Sequence, residues 1–569
     1  MDVDGTDYFV LHDSGVVQET AESTDVANSA GSCMKFRIFL SILICVASGL
    51  AQDAPHLATA DALANKGDRA AAIRMYESLL AKDAGNERQV TPRLARQLLW
   101  SDMAEKSLPL FRRAISTNAD DCELRLDYAT ALSWSDHLKQ SFKEYATIGE
   151  VCAKYKTEVL LGQARVLRWM DKPSASSEIY RQLLDDPKAQ DAAKIGLVLN
   201  LQAEDRYRES RTVAQQDLKA GIRDEALYIA VAGDDVRLGN SAGALNDISD
   251  TPKQYASNRQ LTDLHDYLER RDNPTIDEHS SNFHDRDGTS YISNETGFRT
   301  TTFSTGINFI QGFSRLFGDT VQNAEGSVVA DWTTASVDHH FGESLFMNGR
   351  VTSSRFRNVG GFDPYTGEIN AVITPQDRTR IDITAARVLI SDNYQALAHH
   401  LVGNFVSAGA DIPAGVDWTF TGAMDYTHWT EGNNRMRYRF IPAYRVEGRP
   451  RITVSLPMLF QTYDQGFSFN LFSPKRYFEV GPAVNLYIRK WHYWNFSAYG
   501  EIGAQHEDAQ PWRPMGQVRA HADRDLWRHW ATTASVGWSN SNVASPSGFE
   551  RFSLEAGLSY RFGDEKRRW

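Results

Sequence analysis

Past residue 47 the 569-residue chain has no long apolar run, no excess of basic charge, only two of its four cysteines and no familiar catalytic signature. Each absence removes a class of function. A formal charge of -12 argues against a nucleic-acid partner, whose phosphates demand a basic surface. Without about 18 consecutive apolar residues beyond the N-terminal region, no membrane-spanning helix is expected. A β-barrel escapes that test, because its strands are short and only half apolar. H-E-x-x-H, G-x-S-x-G and a phosphate loop are all missing. The dense histidine pairs, His339-His340 and His399-His400, would point to opposite faces of a strand, which argues against a joint metal site. The chain reads as non-enzymatic, with no cofactor and no metal.

What is present begins with an export signal. Lys35 and Arg37 precede the apolar run Ile38 to Ala47, and Gly49 and Ala51 supply the small residues of a cleavage site between Ala51 and Gln52. Residues 34–51 are therefore read as a signal peptide starting at Met34. Residues 1–33 are read as a start assigned too early or a disordered arm. Ile44 before Cys45 is too bulky for a lipoprotein signal, so export would leave Cys122 and Cys152 in an oxidising compartment.

Residues 52–250 repeat with a period of 34 to 35. Aromatics fall at Tyr76, Phe111, Tyr145 and Tyr180, and the small residues Ala72, Ser107, Ser141 and Ser176 lie four positions earlier. Acidic turns keep the same beat in Trp100-Ser101-Asp102, Trp134-Ser135-Asp136, Trp169-Met170-Asp171 and Ala203-Glu204-Asp205. This pattern resembles the tetratricopeptide repeat, with two antiparallel helices per unit and about six units. Such a solenoid presents a surface for protein partners or a polymer. It would bring Cys122 and Cys152 to neighbouring helix ends, so a disulfide is expected ahead of two inert thiols.

Residues 251–287 lose the beat and read as a polar linker. From 288 to 562 the texture is that of an antiparallel transmembrane barrel. The last segment shows it best: Phe552, Leu554, Ala556, Leu558, Tyr560 and Phe562 alternate with Arg551, Ser553, Glu555, Gly557, Ser559 and Arg561. At about 18 residues per strand and turn, this region holds roughly 14 to 16 strands, with Thr300 to Ile310 and Thr379 to Leu389 read as two of them, and sixteen is taken. A polar tail, 563–569, follows. The fold expected is a helical solenoid followed by a sixteen-strand barrel.

Alternation also assigns sides. Asp382, Asp425, Glu479, Glu501 and Glu555, with Arg435, Arg437 and Arg439 as a ladder, fall on the inward face and are the candidate lumen-lining residues. An arginine at the bilayer midplane costs about 2 to 4 kcal/mol, which fixes the register. Gln311 to Ala324, Phe356 to Gln376 and Gln461 to Pro474 are the candidate plugs.

The order of signal peptide, repeats, linker and barrel resembles the outer-membrane secretins of synthase-dependent exopolysaccharide systems. The poly-N-acetylglucosamine and cellulose export subunits are examples, and other tetratricopeptide outer-membrane barrels are related. Locally, Glu431-Gly432-Asn433-Asn434-Arg435 and Phe472-Ser473-Pro474-Lys475-Arg476 look like segments of that barrel group. The resemblance implies a monomeric outer-membrane porin that exports a hydrophilic polysaccharide. Its repeats would stand in the periplasm and dock polymer or protein partners, with outer-membrane lipid around the barrel. The alternative is a barrel without transport, anchoring a periplasmic scaffold or serving as a surface receptor.

Overall fold

The computed structural model describes residues 57–563, apart from 83–86, 257, 303, 470, 492–493, 528 and 543–549. The expected signal peptide, the segment before it and residues 564–569 of the tail lie outside the described residues. The helical part comprises α1 (Leu57–Asn65), α2 (Arg69–Lys82), α3 (Glu87–Leu99), α4 (Ala104–Thr117), α5 (Cys122–Trp134), α6 (Leu138–Val151) and α7 (Lys156–Trp169). It continues with α8 (Pro173–Leu183), α9 (Gln190–Ala203), α10 (Tyr207–Lys219), α11 (Glu225–Arg237), α12 (Ser241–Ser249) and α13 (Arg259–Arg271). Two compact units divide within α7, at Val166.

In the first unit, Leu94, Leu98 and Tyr76 pack with Ala72, and Phe111 packs with Leu108, Leu124 and Leu132. The register aromatics Tyr76 and Phe111 are thus core residues. A disulfide joins Cys122, at the start of α5, to Cys152, just past α6, with Cα atoms 6.3 Å apart. Ser141, fully buried, donates to the Ala129 carbonyl at 2.7 Å and so ties α6 to α5.

The acidic turns close helices in both units. Asp102, Asp136, Asp171 and Asp205 all have φ between 58° and 60°, a left-handed conformation that Asp tolerates better than branched residues do. After each, the next N–H reaches back over the turn. His137 donates to the Leu132 carbonyl at 2.9 Å, Lys172 to Leu167 at 3.0 Å and Arg206 to Leu201 at 2.9 Å. These six-to-one bonds satisfy carbonyls that the helix end would leave open.

The second unit contains α8 to α13 and the barrel. Its first strands are β1 (Thr275–Asp285), β2 (Thr289–Thr302), β3 (Thr305–Gly318), β4 (Ser327–Phe341), β5 (Leu345–Arg357), β6 (Tyr365–Gln376) and β7 (Thr379–Leu389). After the short helix α14 (Tyr394–Ala398) come β8 (Val402–Ala414), β9 (Trp418–Trp429), β10 (Asn434–Val446), β11 (Arg451–Ser455) and β12 (Met458–Tyr463). The chain ends in β13 (Tyr477–Val480), β14 (Ala483–Trp491), β15 (Trp494–Glu507), β16 (Arg513–Trp527), β17 (Trp530–Ser539) and β18 (Arg551–Arg561). Every pairing is antiparallel, and β1 closes the ring by pairing with both β2 and β18. Two crossings are broken, β11/β12 at Leu456-Pro457 and β13/β14 at Gly481-Pro482, so the eighteen segments make sixteen crossings. Proline brings no N–H to a ladder. The neighbouring breaks are tied together by the Gly481 N–H on the Pro457 carbonyl at 3.3 Å.

Alternation runs as the sequence dictates. Phe420, Met424, Tyr438, Phe440, Leu554 and Leu558 are exposed on the outside, and no described helix is long and apolar enough to cross a membrane. The barrel is of the outer-membrane type. Three sequence expectations need correction. Residues 251–287 are not a linker: they hold α13, which buries Leu261, Leu264 and Leu268, and β1. β1 escapes notice because, after Ile276, its outward positions are Glu278, Ser280, Asn282 and His284, so no apolar face appears. Thr300 to Ile310, read as one strand, straddles the tight connection between β2 and β3. Most of 311–324 and 356–376 is β3 and β6, not plug.

Candidate channel interior and helix-bearing rim

β9, β10 and β12 build the cationic wall. Arg435 donates to Asp425 at 3.0 Å and to Thr427 at 2.9 Å. Arg437 grips the Gln461 carbonyl with two N–H groups, at 2.8 and 3.0 Å. Arg439 stands opposite Ala423 and Leu459, with no acid across from it, and is exposed to the interior. All three arginines lie inward, as the alternation requires. Asp382 is also inward and accepts from Arg380 at 2.7 Å, and Glu555 is inward and half-buried between Ser281 and Ser535.

Glu479 and Glu501 are inward too, but they do not meet open water: only 8% and 2% of their surface is exposed. Tyr477 Oη lies 2.7 Å from Glu479 and 2.8 Å from Gln505, while Ser541 also bonds Glu479. Tyr499 and Gln517 hold Glu501. Charge is matched here by hydroxyls and amides from neighbouring strands and from the chain after β17. Sequence alternation gives the side a residue faces but not what folds over it.

At the end opposite α13, the interior is covered. The segment 390–401 between β7 and β8, containing α14, buries Ala396, Leu397 and Leu401. Leu397 packs with Phe356, Val359 and Phe362, while Leu401 and Ala396 pack with Trp429, Tyr463 and Leu471. His400 Nε2 donates to the Val359 carbonyl at 2.8 Å and its ring stacks on Phe362 at 4.7 Å; His399 stacks on Phe469 at 4.0 Å. These histidines sit at the end of a helix, not on a strand as expected, and they hold the cover in place. Arg551 anchors the segment, bonding Asp392 and Asp285 at 2.8 Å each. Of the expected plugs, 464–474 belongs to this cover, with Phe467 and Phe469 packed against it, and so do Val321 from 311–324 and the loop 358–364 within 356–376. The short loop 358–364 contributes Phe362, and in the sequence the apolar residues of 390–401 look like strand.

The helix-bearing end is built differently. β1 starts three residues after Asp272, so the turns 342–344, 377–378 and 447–450 lie at this end. The first turn of α10 has no side-chain cap of its own. Instead the Arg208 and Glu209 N–H groups donate to the two carboxylate oxygens of Asp377 at 2.9 and 3.0 Å. α8 likewise lacks a side-chain cap, and its Ser174 N–H donates to Glu447 at 3.3 Å. A carboxylate at a helix N-terminus satisfies orphan N–H groups and complements the dipole.

The repeat turns supply the rest of the joint. Asp171 accepts the Gly448 N–H on its carbonyl at 3.0 Å and two Arg451 N–H groups on its carboxylate at 3.4 Å. Asp205 meets Arg445 at 3.4 Å. Arg211 forks onto Glu343 at 2.6 and 2.7 Å and also touches Asp235. That guanidinium holds the Glu343 carboxyl below the usual carboxylate range. Behind it, burial pushes Asp234 up to about 8, and burial with the nearby Asp235 pushes Asp247 up to about 7. The acidic turns are legible in the sequence; their arginine partners, more than 200 residues away, are not.

No protein-family model and no curated protein matches the chain. Among solved structures it is similar to a bacterial polysaccharide outer membrane secretin, with 12% identity and a TM-score of 0.43 over 51% of this chain and 99% of that one. It is also similar to CdiB from Acinetobacter baumannii, with 9% identity and a TM-score of 0.34 over 51% of this chain and 60% of that one. It is similar as well to a tetratricopeptide repeat protein from Parabacteroides merdae, with 15% identity and a TM-score of 0.32 over 37% of this chain and 83% of that one.

Proposed function

We propose that the chain is an outer-membrane channel that exports a hydrophilic polysaccharide, its repeats standing in the periplasm beside the inner mouth. The observation that carries this reading is the closed sixteen-crossing barrel whose outward face is apolar and whose inward face carries Arg435, Arg437, Arg439, Asp382 and Asp425. A barrel of that size encloses more volume than its own side chains fill. Mixed charge supports a wet, weakly binding path, and no bond is made or broken along it. The α8 and α10 joints fix the last repeats to the rim, where a polymer would be handed over. Lipid surrounds the outside, and protein partners dock on the repeats that precede the joint.

The cover over the outer mouth favours a second reading, a shut barrel that anchors a periplasmic scaffold. Single-channel recording of the purified chain in planar bilayers separates the two. For export, the native chain should open rarely, and Asp392→Asn, which breaks the Arg551 anchor, should open often and be blocked by a soluble polysaccharide. A barrel that stays shut even with 391–400 excised would favour the anchor.

A further inference from the structure

Outside the barrel, one sector departs from the apolar rule. Glu278 of β1, Thr296 of β2, Gln311 of β3 and Thr333 of β4 are register partners in one continuous row across four adjacent strands. All four are exposed, and all lie on the outward face, since Glu278 pairs with outward Leu558 of β18. The Thr296 hydroxyl donates to Glu278 at 2.6 Å and the Thr333 hydroxyl to Gln311 at 2.7 Å. A second row begins with Ser280 opposite Asn294. On β18 the same two levels hold Leu558 and Ala556, so this polar patch sits within the apolar band rather than at its edge.

Hydrocarbon offers polar groups no partner, so outward amides and a carboxyl at this depth mark a face that something other than lipid covers. Amides and hydroxyls both donate and accept. A patch made of them is complementary to itself across a two-fold axis, which is the requirement for an isologous contact. The relief fits as well: exposed Phe298 and Phe309 stand beside a groove lined by Ile276, Thr296 and Gln311. We propose that β1 to β4 form the contact through which two copies of this chain pair side by side in the membrane, in place of the monomer expected from the sequence. This rests on the membrane placement of the barrel and not on what the channel carries.

The test uses the full chain in the outer membrane of cells that produce it. Under oxidation, Asn294→Cys and Thr296→Cys should give a reducible product of twice the mass, and Ala408→Cys, outward on β8, should not. Combining Asn294→Cys with Glu278→Leu and Gln311→Leu should lower that yield several-fold while the barrel keeps its heat-dependent gel mobility. No doubled product from a barrel that keeps that mobility, equal product from Ala408→Cys, or a product containing a different protein would each overturn the proposal.

Discussion

Gly196 of α9 has no room for a methyl group, because a Cβ there would lie 2.3 Å from the Tyr180 ring. Gly196→Ala is expected to cost about 1 to 3 kcal/mol through overpacking, read as a lower midpoint for loss of the helical circular dichroism signal. A smaller residue at 180 should restore part of it. The Tyr180 register was legible from the repeat period, but the glycine that receives it was not, since the period marks large residues more clearly than gaps. Titration gives a second residue-scale prediction. With folded values of about 8 and about 7, Asp234 and Asp247 hold their protons more tightly than in an unfolded chain, where a carboxyl titrates near 3.9. Their contribution is full below about pH 4 and is lost as pH rises toward 8. Glu343, lowered by Arg211, runs the other way and loses its contribution only as pH falls through its folded value. Amide exchange in α11, corrected for intrinsic rates, should therefore quicken from pH 5 to pH 8. Asp234→Asn should flatten that rise, and an unchanged profile would refute the assignment.

At the scale of the element, two helices begin on acids that belong to β-turns. Asp377→Ala should cost about 0.5 to 2 kcal/mol, the usual effect of losing an N-cap. Faster exchange confined to the first turn of α10 would register it, and protection equal to the native chain would count against the cap. Such a cap is invisible to local pattern, because the usual signature places the acid next to the helix it serves. Strands were legible where burial is one-sided: β7 runs from Thr379 to Leu389 in the sequence reading and in the structure alike. β1 was not, because its outward face is polar. The turn between β2 and β3 hides within Thr300-Thr301-Thr302-Phe303-Ser304-Thr305, where no glycine or proline marks it. α14 is invisible in the sequence because five residues are too few for a helical period to declare itself.

At the scale of the whole molecule, the order of helices and then barrel could be read, as could the count of crossings, because both rest on periodicity repeated many times. The break between compact units at Val166 could not, since the repeats run through it without a change of beat. Arg439, inward and without an acid opposite, tests whether the interior conducts: in a channel opened by Asp392→Asn, Arg439→Glu should move the reversal potential under a salt gradient toward cation preference. An unmoved potential would place Arg439 off the ion path. The joints at the rim also impose a sequence of events on biogenesis. Glu447 lies 273 residues after the Ser174 it caps, and Asp377 lies 169 after Arg208. Segments synthesised early thus wait, with frayed first turns, for pieces made late and laid down in another phase, and closure of the cylinder becomes the event that completes both.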